Sequence, residues 1–287
     1  VQNTEQTQLF TRHSLTKIYI EGETKEQRKA RKSIEKAQKS VVSPEILPQE
    51  NVERFVCCLK YGNKYSADYV NKLYNMVQRH LTLDHQFVCY TEDPKDIDPN
   101  IRIEPLETLP GIQGWWYKPM FFNPKIGIDG TLLFLDLDMI IFDNIDKLFT
   151  YKPGEFCIIQ DFNRYVVKNY NKFNSSIFRL DTHKATHKNV YEDFIKDPKI
   201  PITRYHGDQD WIRKCIQKDY NYWPEDWIQS YKWEMRGKPK FNGRPRGERD
   251  FLEQAEPVVK AGTAIAVFHG DPNPHNCKDP WVLEHWQ

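Results

Sequence analysis

Two aspartates separated by one residue close a wholly apolar run, Leu132-Leu133-Phe134-Leu135-Asp136-Leu137-Asp138. On a strand, alternate side chains share a face, so Asp136 and Asp138 point the same way, ~6.5 Å apart at ~3.3 Å per residue. Carboxylates so placed repel one another unless a cation neutralises them, and a divalent ion carrying a diphosphate does this well. The plainer alternative is a pair of acids capping a turn, with Asn144 and Asp146 as further turn formers.

A second signal lies far along the chain, in Ala264-Ile265-Ala266-Val267-Phe268-His269-Gly270-Asp271-Pro272. A histidine that ends an apolar strand and precedes glycine is well placed to enter a cleft. With Asp136 and Asp138, His269 makes a mixed oxygen and nitrogen ligand set that suits Mn²⁺, with Mg²⁺ as the competitor. Two polar segments lie between these signals: Phe173-Asn174-Ser175-Ser176 and His206-Gly207-Asp208-Gln209-Asp210. Asn174 and Ser175 at a strand start either bond sugar hydroxyls or satisfy a turn. Asp208 either contacts substrate or caps a helix, and Asp208, Gln209 and Asp210 cannot all face one way.

Positioning these residues requires alternating strands and helices. Arg54 to Lys60, Gln86 to Tyr90, Ile101 to Glu104 and Thr131 to Leu135 read as strands, and Ser66 to His80 carries a helical apolar period. An aromatic segment, Trp115 to Phe122, surrounds Lys118. Further on, Phe156 to Gln160, Ser175 to Leu180 and Ile265 to Phe268 read as strands, while Thr182 to Asp197 and Asp208 to Gln217 read as helices. Residues Asn221 to Gln254 have no clear period and are expected to form loops and short strands near the cleft. The rhythm indicates an α/β fold with a mostly parallel sheet covered on both faces, and the carboxyl ends of such strands are where ligands bind.

Two domains are expected: a polar, basic extension over residues 1–50 and an α/β domain over 51–287. The segment Lys25 to Lys39 has the composition of a solvated helix, which Ser43-Pro44 and Leu47-Pro48 end. With 39% hydrophobic and 14% aromatic residues the chain can bury a sizeable core. Its net charge of +1 gives no overall pull toward nucleic acid or membrane. No apolar stretch approaches the ~20 residues that span a bilayer, and no signal-peptide core is evident. Cys57, Cys58, Cys89, Cys157, Cys215 and Cys277 include no CxxC pair, and adjacent Cys57 and Cys58 are poor disulfide partners. Reduced thiols and a cytoplasmic location are the expectation.

In this order, the DxD after an apolar strand, the FNS and DQD segments and the late His-Gly resemble GT-A-fold glycosyltransferases. The likeness is nearest to the glycogenin and lipopolysaccharide galactosyltransferase group and covers Val52 to Asn276. It implies a GT-A-like, Rossmann-type sheet and transfer of a sugar from a nucleotide-diphosphate donor, a UDP-sugar, to a hydroxyl acceptor. It implies metal roles for Asp136, Asp138 and His269. Nucleotide contacts fall to Leu59, Lys60, Tyr61 and Tyr65 after the first strand and to Thr91 and Glu92 after the second. Lys118 meets donor phosphate or sugar, while Asn174, Ser175, Asp208 and Gln209 hold the donor sugar. The family follows its late His-Gly, here His269-Gly270, with a diphosphate-gripping lysine. This chain has none there, so His275, Lys278 or the bases near Arg244 and Arg246 are the expected substitutes.

The resemblance implies retention of configuration, with Gln209 near the reacting face and no dedicated base. Inversion would instead call on Asp210 or Asp208 to deprotonate the acceptor. The acceptor is left open between a glycan, a lipid, a protein side chain and a modified DNA base, and oligomeric state is not indicated. Two other readings compete. Phe134 to Asp138 also resembles the first motif of haloacid-dehalogenase-like phosphatases, although those place it on the first strand. A sugar- or nucleic-acid-binding protein on a transferase fold is the non-enzymatic alternative.

Overall fold

In the computed structural model the described residues are 52–165, 167–184, 186–236 and 257–287. The chain divides into two units, Val1–Gln49 and Glu50–Gln287. The basic helix expected over Lys25 to Lys39 and the bases at Arg244 and Arg246 lie outside the described residues.

The second unit begins with β1 (Arg54–Lys60), helix α1 (Ala67–His80), β2 (Gln86–Thr91) and β3 (Arg102–Pro105). A 3-10 turn, Gly114–Phe122, leads to β4 (Thr131–Leu135) and β5 (Met139–Ile141). Then come α2 (Lys147–Thr150), β6 (Cys157–Gln160), β7 (Phe173–Asp181), α3 (Asn189–Lys196), α4 (Lys199–Arg204) and α5 (Asp208–Ile216). The described chain closes with β8 (Asn221–Tyr222), β9 (Ile228–Ser230), β10 (Ile265–Val267) and α6 (Pro280–His285).

Seven strands form the main sheet in the order β3-β2-β1-β4-β7-β6-β8, and β5-β10-β9 make a smaller one. β1, β2, β3 and β4 run parallel, and β7 is antiparallel to both β4 and β6. The sheet is therefore mixed and mostly parallel, as the alternation of elements predicts.

Alternation along β1 explains how both faces are covered. Val56 and Cys58 join the apolar residues of α1, including Tyr69, Val70 and Leu73, in one core. Phe55 and Cys57 pack on the other face with Trp116, Phe121 and Phe122 of the aromatic turn. Adjacent Cys57 and Cys58 thus enter different cores, and all six cysteines are free thiols.

Two expectations differ from the structure. Helix is confined to Asn189–Lys196, where Thr182 to Asp197 was expected. The reason is local: Thr182 N donates to Gly130 O and Thr182 Oγ1 accepts from Gly130 N, both at 2.9 Å. The hydroxyl thereby commits the backbone to a turn. Strand β7 also starts at Phe173 rather than Ser175. A register shift opposite it, between Ile158 and Ile159 of β6, lies beside this extension.

Candidate active site

Asp136-Leu137-Asp138 is the link between the two sheets. Asp136 N donates to Ser176 O of β7 at 2.8 Å, and Asp138 O accepts from Phe268 N, just past β10, at 2.9 Å. Leu137 is buried in the core between these anchors. With backbone held on both sides and the middle side chain sunk inward, both carboxylates reach one cleft of about 390 Å³. It opens beyond the ends of β1 and β4, the edge where a parallel sheet takes its ligands.

Lys118 is drawn into this cleft from the aromatic turn. Its Nζ lies 2.8 Å from Asp136 Oδ2, 3.2 Å from Ser175 O and 3.9 Å from Asp208 Oδ2. Burial pulls the ammonium down, but the charges of Asp136 and Asp208 outweigh it and the pKa is raised. Ser175 Oγ donates to Asp208 Oδ2 at 2.6 Å. Asp208 is pushed up by burial, against the opposing effects of Lys118 and Ser175. Tyr65 OH donates to Asp138 Oδ2 at 2.8 Å. Asp138 is itself pushed up to about 6, by burial first and then by the charge of Asp136.

The chemistry of the pair fits a divalent cation. Three carboxylates, Asp136, Asp138 and Asp208, line the cleft against two lysines, Lys64 and Lys118. Burial first, and then the neighbouring Asp136 charge, disfavour the ionised Asp138, a cost that a cation at the pair would relieve. The three-ligand set expected with His269 does not assemble. Among the described residues, no group of three or more His, Cys, Asp and Glu is placed to hold an ion. The His269 ring stacks on Phe162 at 5.2 Å, and Nε2 pairs with Ser230 Oγ at 2.6 Å.

Other expected residues divide clearly. Leu59, Tyr61, Tyr65, Ser175 and Gln209 line the cleft. Lys60, Thr91, Glu92 and Asn174 do not, because each braces backbone instead. Lys60 Nζ donates to Asp93 O at 3.1 Å, and Thr91 Oγ1 meets the backbone of the same residue. Glu92 Oε1 accepts from Gly62 N at 2.6 Å, and Asn174 Oδ1 from Ser176 N at 2.8 Å. Asp210 pairs with Lys172 at 3.2 Å and Arg213 at 3.6 Å and does not line the cleft. Gly270 adopts φ +76° in the turn after His269. His275 pairs with Tyr69 OH, and Lys278 lines a separate cavity with Arg236. Neither basic residue grips the cleft.

Several cleft residues were missed from sequence. Lys64, Trp115 and His206 line it, and Lys232 Nζ donates to the carbonyls of His269 and Asp271, next to Gly270. Asp161 is buried, and its Oδ2 accepts from Gln209 Nε2 at 3.1 Å. Asn163 N and Nδ2 hold the other oxygen at 2.7 and 2.9 Å. A carboxylate only accepts, so the Gln209 amide turns its NH₂ to Asp161 and leaves Oε1 for the cleft. Lys64 sits in the loop after the first strand between Tyr61 and Tyr65, and Trp115 and His206 lie at the starts of the aromatic and DQD segments. Asp161 and Lys232 carried no sequence signal.

Comparison with solved structures identifies the architecture. An active-site mutant of the galactosyltransferase LgtC superposes with a TM-score of 0.57 at 12% identity, covering 80% of this chain and 93% of that one. LgtC in complex with donor and acceptor sugar analogues gives 0.54 at 11% identity over 80% and 93%. The glycosyltransferase GlyE of Streptococcus pneumoniae gives 0.56 at 12% identity, over 82% of this chain and 60% of that one. The chain has a GT-A-like glycosyltransferase fold. No protein-family model and no curated protein matches the sequence, so the likeness is one of fold. The acid pair follows the fourth strand, not the first strand on which the phosphatase motif is expected.

Proposed function

We propose that the protein is a metal-dependent glycosyltransferase that moves a sugar from a nucleoside-diphosphate donor, a UDP-sugar, to a hydroxyl acceptor. The observation that carries this reading is the excess of carboxylates over lysines around Asp136 and Asp138 at the sheet's carboxyl edge, in a fold shared with sugar transferases. Asp136 and Asp138 would hold Mn²⁺ or Mg²⁺. Such an ion, when bound, neutralises the diphosphate as charge develops on the leaving group.

The chain's own residues supply the rest. Lys118 and Lys64 bring positive charge to the donor diphosphate. Ser175 and Asp208, tied at 2.6 Å, offer oxygens to the hydroxyls of the donor sugar. Gln209 Oε1 faces the reacting sugar because Asp161 holds the other end of its amide. Retention of configuration is the outcome these positions favour. Asp210 is engaged by Lys172 and Arg213, and Asp208 by Ser175 and Lys118, so neither stands ready as a base.

A donor panel read by nucleoside-diphosphate release tests the reading. Turnover of one UDP-sugar should require Mn²⁺ or Mg²⁺, cease with chelator and be lost in Asp138→Ala. No metal-dependent release from any nucleotide sugar would overturn it. With turnover in hand, NMR of the product anomer checks retention, and an inverted product would overturn that part.

A further inference from the structure

The aromatic turn Gly114–Phe122 buries nearly all its rings. Trp116, Tyr117, Phe121 and Phe122 are in the core, and Trp116 stacks on Phe194 at 6.0 Å with 9° between planes. Trp115 is the exception. It is 53% exposed, the only exposed tryptophan among the described residues, and it lines the cleft. Indole Nε1 lies 3.5 Å from where a Cβ on Gly207 would stand, so one edge rests against the start of α5. Asp208 and Gln209 follow Gly207 directly.

Burial separates two regions of this cleft. Lys118, Ser175 and Asp208 are 6%, 3% and 5% exposed and form its floor. Trp115, by contrast, stands at the exposed rim. Leaving an indole in water forgoes the burial its area offers, and such rings recur where one face meets a ligand.

We infer that Trp115 is the acceptor platform and that the acceptor is a pyranose sugar, an inference that rests on the transferase reading above. A pyranose has a face of C–H bonds that packs on indole, together with hydroxyls for His206 at the rim and Asp208 on the floor. A lipid chain or a simple side-chain hydroxyl offers only one of these. A DNA base would stack on the ring, but its flat π face offers neither the C–H face nor the ring of hydroxyls of a pyranose. In the reaction, an acceptor hydroxyl oxygen bonds to the donor's anomeric carbon as the bond from that carbon to phosphate oxygen breaks. The hydroxyl proton leaves with the nucleoside diphosphate.

The test uses the full chain, Mn²⁺, the hydrolysed UDP-sugar and methyl α- and β-pyranosides of glucose, galactose and mannose. Hydroxymethylated oligonucleotide, a hydroxylated lipid and a serine peptide serve as competing acceptors. Wild type, Trp115→Phe and Trp115→Ala are compared. We expect at least one methyl pyranoside to accept sugar. Trp115→Ala should raise its KM about tenfold, the worth of one aromatic stack, with a smaller rise in donor KM and an intermediate value for Trp115→Phe. Equal acceptor KM in all three proteins, a donor KM that rises as much as the acceptor's, or transfer only to a competing acceptor overturns the inference. If wild type cleaves donor yet glycosylates no pyranoside, this inference alone fails. If it cleaves no donor, the transferase reading fails with it.

Discussion

Lys118 Nζ donates to Asp136 Oδ2 at 2.8 Å, with the lysine side chain only 7% exposed. That bond ties the aromatic turn to the acid pair and sets one positive charge among three carboxylates.

Removing this lysine should therefore damage both chemistry and fold. We expect Lys118→Ala to lower kcat about 100-fold, the usual loss when one charge-stabilising donor goes. It should also cost about 3–5 kcal/mol by leaving Asp136 and Asp208 without their cation. Thermal unfolding and nucleoside-diphosphate release measure the two effects. Lys118→Met tests the charge separately from the volume and should be as inactive as Lys118→Ala.

Asp138, at about 6 against an ordinary 3.8, predicts a pH dependence of stability in the metal-free protein. An acid raised on folding binds its proton more tightly in the folded chain, so the unfolded chain holds fewer protons across this window. Stability should then fall as pH rises from 3.8 through about 6. Asp138→Asn should flatten that slope, and Mn²⁺ should stabilise wild type more above the window than below it. Melting temperatures across pH, with and without Mn²⁺, check both; a slope unchanged by Asp138→Asn would contradict the assignment.

The Gln209 amide is oriented by Asp161 at 3.1 Å. Asp161→Asn can present either end of its own amide and no longer dictates that orientation. We expect kcat to fall about tenfold with a smaller change in donor KM, the pattern of an interaction used mainly in the transition state. Equal loss in Asp161→Asn and Asp161→Glu, with lowered melting temperature, would mark a purely structural role.

Asp210 serves as the contrast. Because it faces Lys172 and Arg213 rather than the cleft, Asp210→Asn should keep turnover within about threefold, a surface ion pair being worth little. A 100-fold loss would reinstate it as a base and weaken the case for retention.

Far from the cleft, Arg179 tests the scaffold. Its guanidinium donates to the carbonyls of Leu148, Phe149, Lys152 and Glu155 at 2.6, 2.9, 2.5 and 3.1 Å. Arg179→Met would orphan acceptors that cost about 1–3 kcal/mol each when buried unpaired. We expect a large fall in melting temperature, followed by circular dichroism.

The amino-acid order determined the strands of the main sheet, the helix Ala67–His80 and the acid pair at the sheet edge. Those features are written in short-range periodicity: alternation along Arg54 to Lys60, a helical period from Tyr69 to Val77, and LLFL broken by DLD. Tertiary structure decided which polar residues reach the cleft. Glu92 and Asn174 have side chains suited to a ligand, yet nearby backbone N–H groups claim them. Asp210 lies two residues from Asp208 but on another side of its helix, where Lys172 meets it. Trp115 and Trp116 are identical in type and adjacent, yet one packs on Phe194 and the other lines the cleft. Apart from the local turn of Asn174 onto Ser176, such choices depend on contacts between residues tens of positions apart, which local patterning does not encode.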